Sequence, residues 1–165
     1  MSAVTGKNLI YMYRLNSESA TVDGVRIAFT TENEMSISSD ADATATKDGS
    51  VRGASVAELE LTATSLMDAN DPMIPKLKSA ILNGSLLDVW EVNLDKPVSG
   101  SAGKFEGTYY QAYITEFTTS SPADGNVEVS MTFGINGSGA TGDVTVPTSQ
   151  QDDGQYTFVD TPKTA

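Results

Sequence analysis

Three observations in the sequence predict a mainly β fold with a single helix. Apolar residues recur most often at every second position, the period at which successive side chains of a strand turn to opposite faces of a sheet. One segment alone carries the start and stop chemistry of a helix. The stretches between periodic runs are rich in Gly, Ser, Pro, Asn and Asp, the residues of turns. At 165 residues the chain has the length of one ordinary domain. Its 39% hydrophobic content is enough for a real core and argues against disorder throughout.

Residues 8–15 (NLIYMYRL) and 25–30 (VRIAFT) are rich in aromatic and β-branched residues and read as strands, separated by a polar segment containing Asp23-Gly24. Residues 35–38 (MSIS) offer a further short strand. The clearest alternation is in residues 56–64 (VAELELTAT), where Leu59, Leu61 and Ala63 make a dry side and Glu58, Glu60, Thr62 and Thr64 a wet, acidic one. The helix falls near residues 72–83: Asp71 caps it, Pro72 suits its first turn and Gly84 supplies the left-handed stop. Ile74, Leu77 and Ile81 form its buried stripe. Pro75 deletes a hydrogen bond if it lies inside that helix, so a start at Ile74-Pro75 is the alternative. Residues 87–94 (LDVWEVNL) follow as a strand with Trp90 as a core anchor. A Gly/Ser/Pro loop then leads to a long hairpin of residues 105–118 and 127–135 around the turn SSPADGN.

Two stretches do not suit a compact domain. Residues 38–55 (SSDADATATKDGSVRGAS) make an 18-residue polar insert, long for a loop unless it binds something or is disordered. From Gly137 onward the chain is rich in Gly, Thr, Asp and Pro and reads as an extended arm, with short β-like pieces at 143–146 and 155–159. The expected organisation is therefore a β body over residues 1–136 and a C-terminal extension over 137–165.

Composition excludes whole classes of chemistry. With 22 acidic and 10 basic residues the formal charge is −12, the wrong sign for gripping nucleic acid through its phosphates. No Cys means no disulfide framework, thiolate metal site or thiol nucleophile, and no His removes the imidazole base of most hydrolases. GSGATG, residues 137–142, has the spacing of a dinucleotide-binding loop but no βαβ context, and reads as a connector. The acidic start of the insert resembles a calcium loop but has Ala45 where the turn needs Gly and Val51 where a bidentate Glu belongs. Ser101 and Lys104 fit S-x-x-K without the helix that motif needs, and Glu58 with Glu60 is more simply the wet face of a strand than a glycosidase pair. No catalytic residue, metal ligand or cofactor is expected. The N-terminal sequence lacks the apolar core of a signal peptide, and no apolar run is long enough to span a bilayer, so a soluble chain made in the cytosol, without membrane contact, is expected.

Taken in order, NLIYMYRL, AFTTENEMSISSDADATATKDGSVR, ELELTATSL, LLDVWEVNL, KFEGTYYQAYITEF and VEVSMTFGINGSGATGDVTV resemble the major tail tube proteins of long-tailed, non-contractile bacteriophages. That resemblance implies a β-sandwich or half-barrel subunit with one flanking helix, a long inter-strand loop and an extended C-terminal arm. It also implies hexameric rings stacked into a tube through which DNA passes, in a virion tail assembled in the host cytoplasm. The loop that reaches the next ring corresponds to residues 38–55, with Ser39, Asp40, Asp42, Lys47, Asp48 and Arg52 as its contact residues. Implied partners are further copies of the chain and the tape measure, tail tip and tail terminator proteins, with genomic DNA passing through without tight binding. An acidic lumen lets DNA slide because it repels phosphate, and Glu58, Glu60, Glu91 and Glu128 are the candidate lumen acids. Two rival readings remain: a glycan-binding β-sandwich that stacks sugars on Trp90, Tyr109, Tyr110 and Tyr113, and the tube protein of a contractile tail or secretion apparatus.

Overall fold

The computed structural model describes residues 2–147 and, beyond them, Gln150, Thr161 and Pro162. Among the described residues eight strands and the helix α1 follow in chain order: β1 Leu9–Leu15, β2 Thr30–Ser38, β3 Ala43–Thr46, β4 Gly49–Arg52, β5 Glu58–Leu66, α1 Met73–Asn83, β6 Leu87–Pro97, β7 Lys104–Ser120 and β8 Glu128–Thr145. Six of the strands form one antiparallel sheet in the order β1-β6-β7-β8-β5-β2, and β3 with β4 forms a separate two-stranded ribbon.

Alternation fixes which face is dry. Leu61 of β5 lies opposite Phe133 of β8, and Ala63 opposite Met131, so the apolar sets of the two strands share one face. That face closes over the main core, where Leu61, Leu87, Val89, Ala112, Val129, Met131 and Phe133 are buried against Met73, Ile74, Leu77 and Ala80 of α1. At ~25 cal/mol per Å2 this burial is the principal force holding helix to sheet. The expected stripe of Ile74 and Leu77 is buried, while Ile81 is only partly covered at its margin. Asp71 accepts the Met73 amide at 2.9 Å, and Gly84 takes φ 66 at the C-cap. The helix thus starts at Met73, and Pro75 lies in the first turn, where its missing N–H has no intrahelical partner to lose. A smaller core on the opposite face joins Ile10, Met12, Val92 and Val146, with Trp90, Leu94, Phe105 and Val144 packed on it. Both faces of β6 are therefore covered, and Trp90 anchors this second core as a half-buried side chain.

Four sequence expectations change. Residues 25–30 do not form a strand: Val25 alone bridges Tyr13, and Phe29 at φ 54 breaks the extended run, so the strand starts at Thr30 and absorbs 35–38. The insert 38–55 is not a loop but a ribbon, because Thr46 and Gly49 pair around a two-residue Lys47-Asp48 turn, with Gly49 at φ 126. The boundary placed at 136/137 falls inside β8, which runs on through Thr145 paired to β7, so residues 137–145 belong to the sheet instead of an arm. GSGATG is the site of a bulge: register shifts between Tyr109 and Gln111, Gly137 and Gly139 take φ 70 and 80, and a Cβ on Gly139 would meet the Tyr110 ring at 2.5 Å. The expected piece at 155–159 lies outside the described residues.

Candidate functional site

The face of the sheet turned away from α1 stays wet where β2, β5, β8 and β7 run side by side. Register places Glu34 opposite Thr62, Ser36 opposite Glu60, Thr62 opposite Thr132 and Glu116 opposite Thr132, all pointing to this face. The same parity puts Glu32, Glu34, Glu58, Glu60, Glu116 and Glu128 on it, every one exposed, among Ser and Thr. No Lys or Arg stands at these paired wet-face positions. Residues two apart on one strand are ~7 Å apart, so the surface presents a regular lattice of like charge. Its field acts on any polyanion within about a Debye length, ~8 Å at physiological salt.

Glu58, Glu60 and Glu128 stand on this face as the sequence pattern suggested, and Glu91 does not. Its neighbours in parity, Leu87 and Val89, line the main core, and its carboxylate accepts the Tyr11 hydroxyl hydrogen. Burial, and then this carboxylate, push the Tyr11 phenol well above its ordinary range. The placement was illegible in LDVWEVNL because both faces of β6 are covered, which removes the polarity that marks a wet side. Glu32 and Glu34 were missed although TENEMSIS carries the same period-two signal as VAELELTAT, whereas Glu116 shares its parity with the buried Ile114 and reaches the wet face only through the register shift between the two.

The sheet curls until its two edge strands line one cleft without pairing. Leu9 and Tyr11 of β1 and Thr31 and Asn33 of β2 border a cleft of about 480 Å3, crossed by a long hydrogen bond from the Tyr13 hydroxyl to Asn33 Oδ1 at 3.4 Å. Only Tyr13 of the β1 outer edge has a backbone ladder partner, Val25, at 2.8 and 3.0 Å. Because amide and carbonyl of alternate residues point the same way, Tyr11 presents both groups and Leu9 its carbonyl to the cleft, while the Leu9 amide donates to the Gly6 carbonyl. The body is a half-barrel with an open seam.

At one end of the sheet the ribbon β3–β4 projects from β2 and β5. It is held by its own bonds: Ser55 N–H to the Asp40 carbonyl at 2.9 Å, Ser39 Oγ to the Ser55 carbonyl at 3.1 Å and Arg52 Nη1 to the Ala41 carbonyl at 2.8 Å. Every residue from 36 to 58 is exposed, Ser39, Asp40, Asp42, Lys47, Asp48 and Arg52 included.

The aromatic residues are not a sugar-stacking platform. Asp88, 1% exposed, accepts Arg14 Nε at 3.1 Å and Nη2 at 2.8 Å, Asn16 Nδ2 at 2.8 Å and the Tyr109 hydroxyl at 2.6 Å. Burial alone would raise its pKa, but the hydrogen bonds from Tyr109, Asn16 and Arg14, with the Arg14 charge, bring it below the ordinary value. The Arg14 guanidinium covers the Trp90 ring at 4.9 Å, Trp90 leans on Tyr109 at 5.6 Å, and Tyr110 is buried. Of the four aromatic rings only Tyr113 is widely exposed. Among the described residues no group of acidic side chains is arranged to hold a metal ion.

The described residues thus form an unsealed half-barrel with a one-signed acidic face and an exposed β arm. The profile of the phage tail tube protein family matches residues 3–140, and the chain belongs to that family. A putative tail protein of Staphylococcus phage phiMR25 is 30% identical over 146 residues, covering 86% of this chain and 76% of that one. The fold is similar to the SPP1 tail tube subunit, with a TM-score of 0.80 at 17% identity over 99% of this chain and 95% of that one. It is also similar to the tail subunit of a gene transfer agent particle refined with C6 symmetry, with a TM-score of 0.65 at 12% identity over 84% and 98% of the two chains. The protein is a structural component of the phage virion tail that assembles into its tube.

Proposed function

We propose that six copies close into a ring with the acidic face of β2, β5, β8 and β7 turned to a central lumen, and that rings stack into the conduit for DNA ejection in a long, non-contractile tail. The lattice of Glu32, Glu34, Glu58, Glu60, Glu116 and Glu128 carries this reading, because a channel for a polyanion must repel its walls' cargo to let it slide. Lateral closure uses the unpaired margins of β1 and β2, since a ring of joined sheets removes edges that a lone subunit leaves open. The arm spanning 38–55 makes the contact between rings, supported by its exposure along its whole length. The C6 symmetry of the gene transfer agent tail supports the choice of six. The tape measure, tail tip and tail terminator proteins are the further partners that such a tube requires, and catalysis has no part in the role.

Negative-stain microscopy of the concentrated protein tests the proposal. Rings or tubes with a stain-filled central hole are expected, and a protein that stays monomeric at every concentration and salt tried would refute it. Normal tubes whose lumen labels as basic or neutral would refute the orientation of the sheet.

A further inference from the structure

We infer that the peptide between Ala28 and Phe29 is a two-state element, strained in the free subunit and turned over when a neighbouring copy closes the seam between β1 and β2. The inference rests on the lateral closure proposed above, and adds a backbone change that accompanies it. Residues 25–30 carry the β-branched and aromatic composition of a strand, yet Ala28 and Phe29 form a turn between Ile27 and Thr30. Phe29 holds φ 54, the sole positive φ of a non-glycine residue among the described residues. A positive φ at the third position alone is the pattern of a type II turn, where Gly is free of strain and a bulky residue is not. Strain of this kind persists where it serves a switch or a site, and no site lies here.

The turn is fixed on both sides of this peptide and free in the middle. The Ala28 amide donates to Asp71 Oδ2 at 3.0 Å, and the Phe29 carbonyl accepts the Leu66 amide at 3.0 Å. Ile27, 1% exposed, anchors the turn in the main core, and the Thr30 hydroxyl donates to its carbonyl at 2.8 Å. Among the described residues no hydrogen bond reaches the Ala28 carbonyl or the Phe29 amide, the two polar groups of the intervening peptide. Phe29 is 57% exposed, and Arg26, Thr30 and Thr31 on either side of it border the cleft between the sheet edges. Turning that one peptide over converts type II to type I geometry and takes Phe29 to a φ of about −90°. Both anchoring bonds survive, because they belong to the flanking peptides. The flip reverses the unpartnered carbonyl and amide, so a strand edge placed against them bonds one orientation and not the other. That difference in contact is what allows a neighbour to shift the equilibrium.

Backbone chemical shifts of Phe29 test the inference in isotope-labelled protein, by solution NMR on the free subunit and solid-state NMR on tubes. Left-handed shifts are expected in the free subunit and negative-φ shifts in the tube; left-handed shifts in both overturn the switch and leave lateral closure standing. A protein that forms no tubes under any condition removes the closure and this inference with it. As a second measurement, the critical concentration for assembly is compared between Phe29→Gly and Phe29→Ala. Both lose the ring, but only Gly loses the strain whose release favours assembly. Phe29→Gly should therefore need about tenfold more protein, the equivalent of ~1.4 kcal/mol of strain no longer released. Equal critical concentrations for the two variants overturn the inference.

Discussion

Asp88 shows how a buried charge becomes part of a fold. It stands on β6 and holds β1 through Arg14, the turn after β1 through Asn16 and β7 through Tyr109, all directed at its two oxygens. Removing one partner of such a pair leaves the other uncompensated, which costs about 3–5 kcal/mol. Asp88→Ala should therefore lower the melting temperature by roughly 10 °C, at ~2–4 °C per kcal/mol for a domain of this size. Differential scanning calorimetry checks it, and a loss under 2 °C would mean the network is idle. The depressed pKa gives the sign with pH: the contribution is complete above the unfolded carboxyl value of 3.8 and is lost as pH falls through the lower folded value. The tyrosines act at the other limit. Burial raises Tyr11, Tyr13, Tyr109 and Tyr110 above 10.0, so the unfolded chain ionises first, and stability should fall as pH rises past that value. Urea midpoints between pH 9 and 11 test this; a flat profile contradicts it.

Among the elements, β8 and the arm carry the sharpest expectations. The bulge in β8 needs Gly139 twice over, for φ 80 and for the space the Tyr110 ring fills. Gly139→Ala adds a left-handed backbone cost of about 1–2 kcal/mol to an overpacking cost of about 1–3 kcal/mol. Chemical denaturation should show a loss of at least 1.5 kcal/mol by those same estimates, while Gly142→Ala, where no atom lies near the added methyl, should be far milder. Equal losses would deny the bulge its special geometry. The arm is expected to behave in the opposite way. Since nothing in the body packs on residues 40–52, their deletion should leave the melting temperature within a few degrees of wild type and abolish tubes. A deletion that unfolds the subunit would show that the arm is structural.

For the whole molecule the governing quantity is the sign of the wet face. Reversing Glu58, Glu60 and Glu128 to Lys replaces repulsion with attraction along two strands without touching either core. Tubes should still form, and DNA ejection timed by dye influx should slow severalfold at low salt and recover as salt screens the new charges. Ejection unaffected at every ionic strength would argue that another face lines the lumen. The net charge of −12 also makes copies repel, so assembly of the native protein should quicken with added salt, which light scattering can follow.

The sequence by itself determined the periods: that the runs at 9–15, 58–66, 87–94, 105–118 and 128–135 are strands, where α1 lies, and that Leu59, Leu61 and Ala63 face away from Glu58 and Glu60. Those are local facts, set by the alternation of side chains along an extended backbone and by caps such as Asp71 and Gly84. It carried the acidic face in β5 and, unread, in β2, because a face exposed to water keeps its polar pattern, while in β7 the irregularity between Ile114 and Glu116 breaks that pattern. What only the tertiary structure decided was which strands adjoin, that β6 is covered on both sides so that Glu91 leaves the wet set, and that the glycines after Asn136 bend a continuing strand around Tyr110 instead of ending it. All three depend on contacts between residues far apart in the chain, and period alone cannot say whether a polar stretch meets water, a neighbouring strand or another copy of itself.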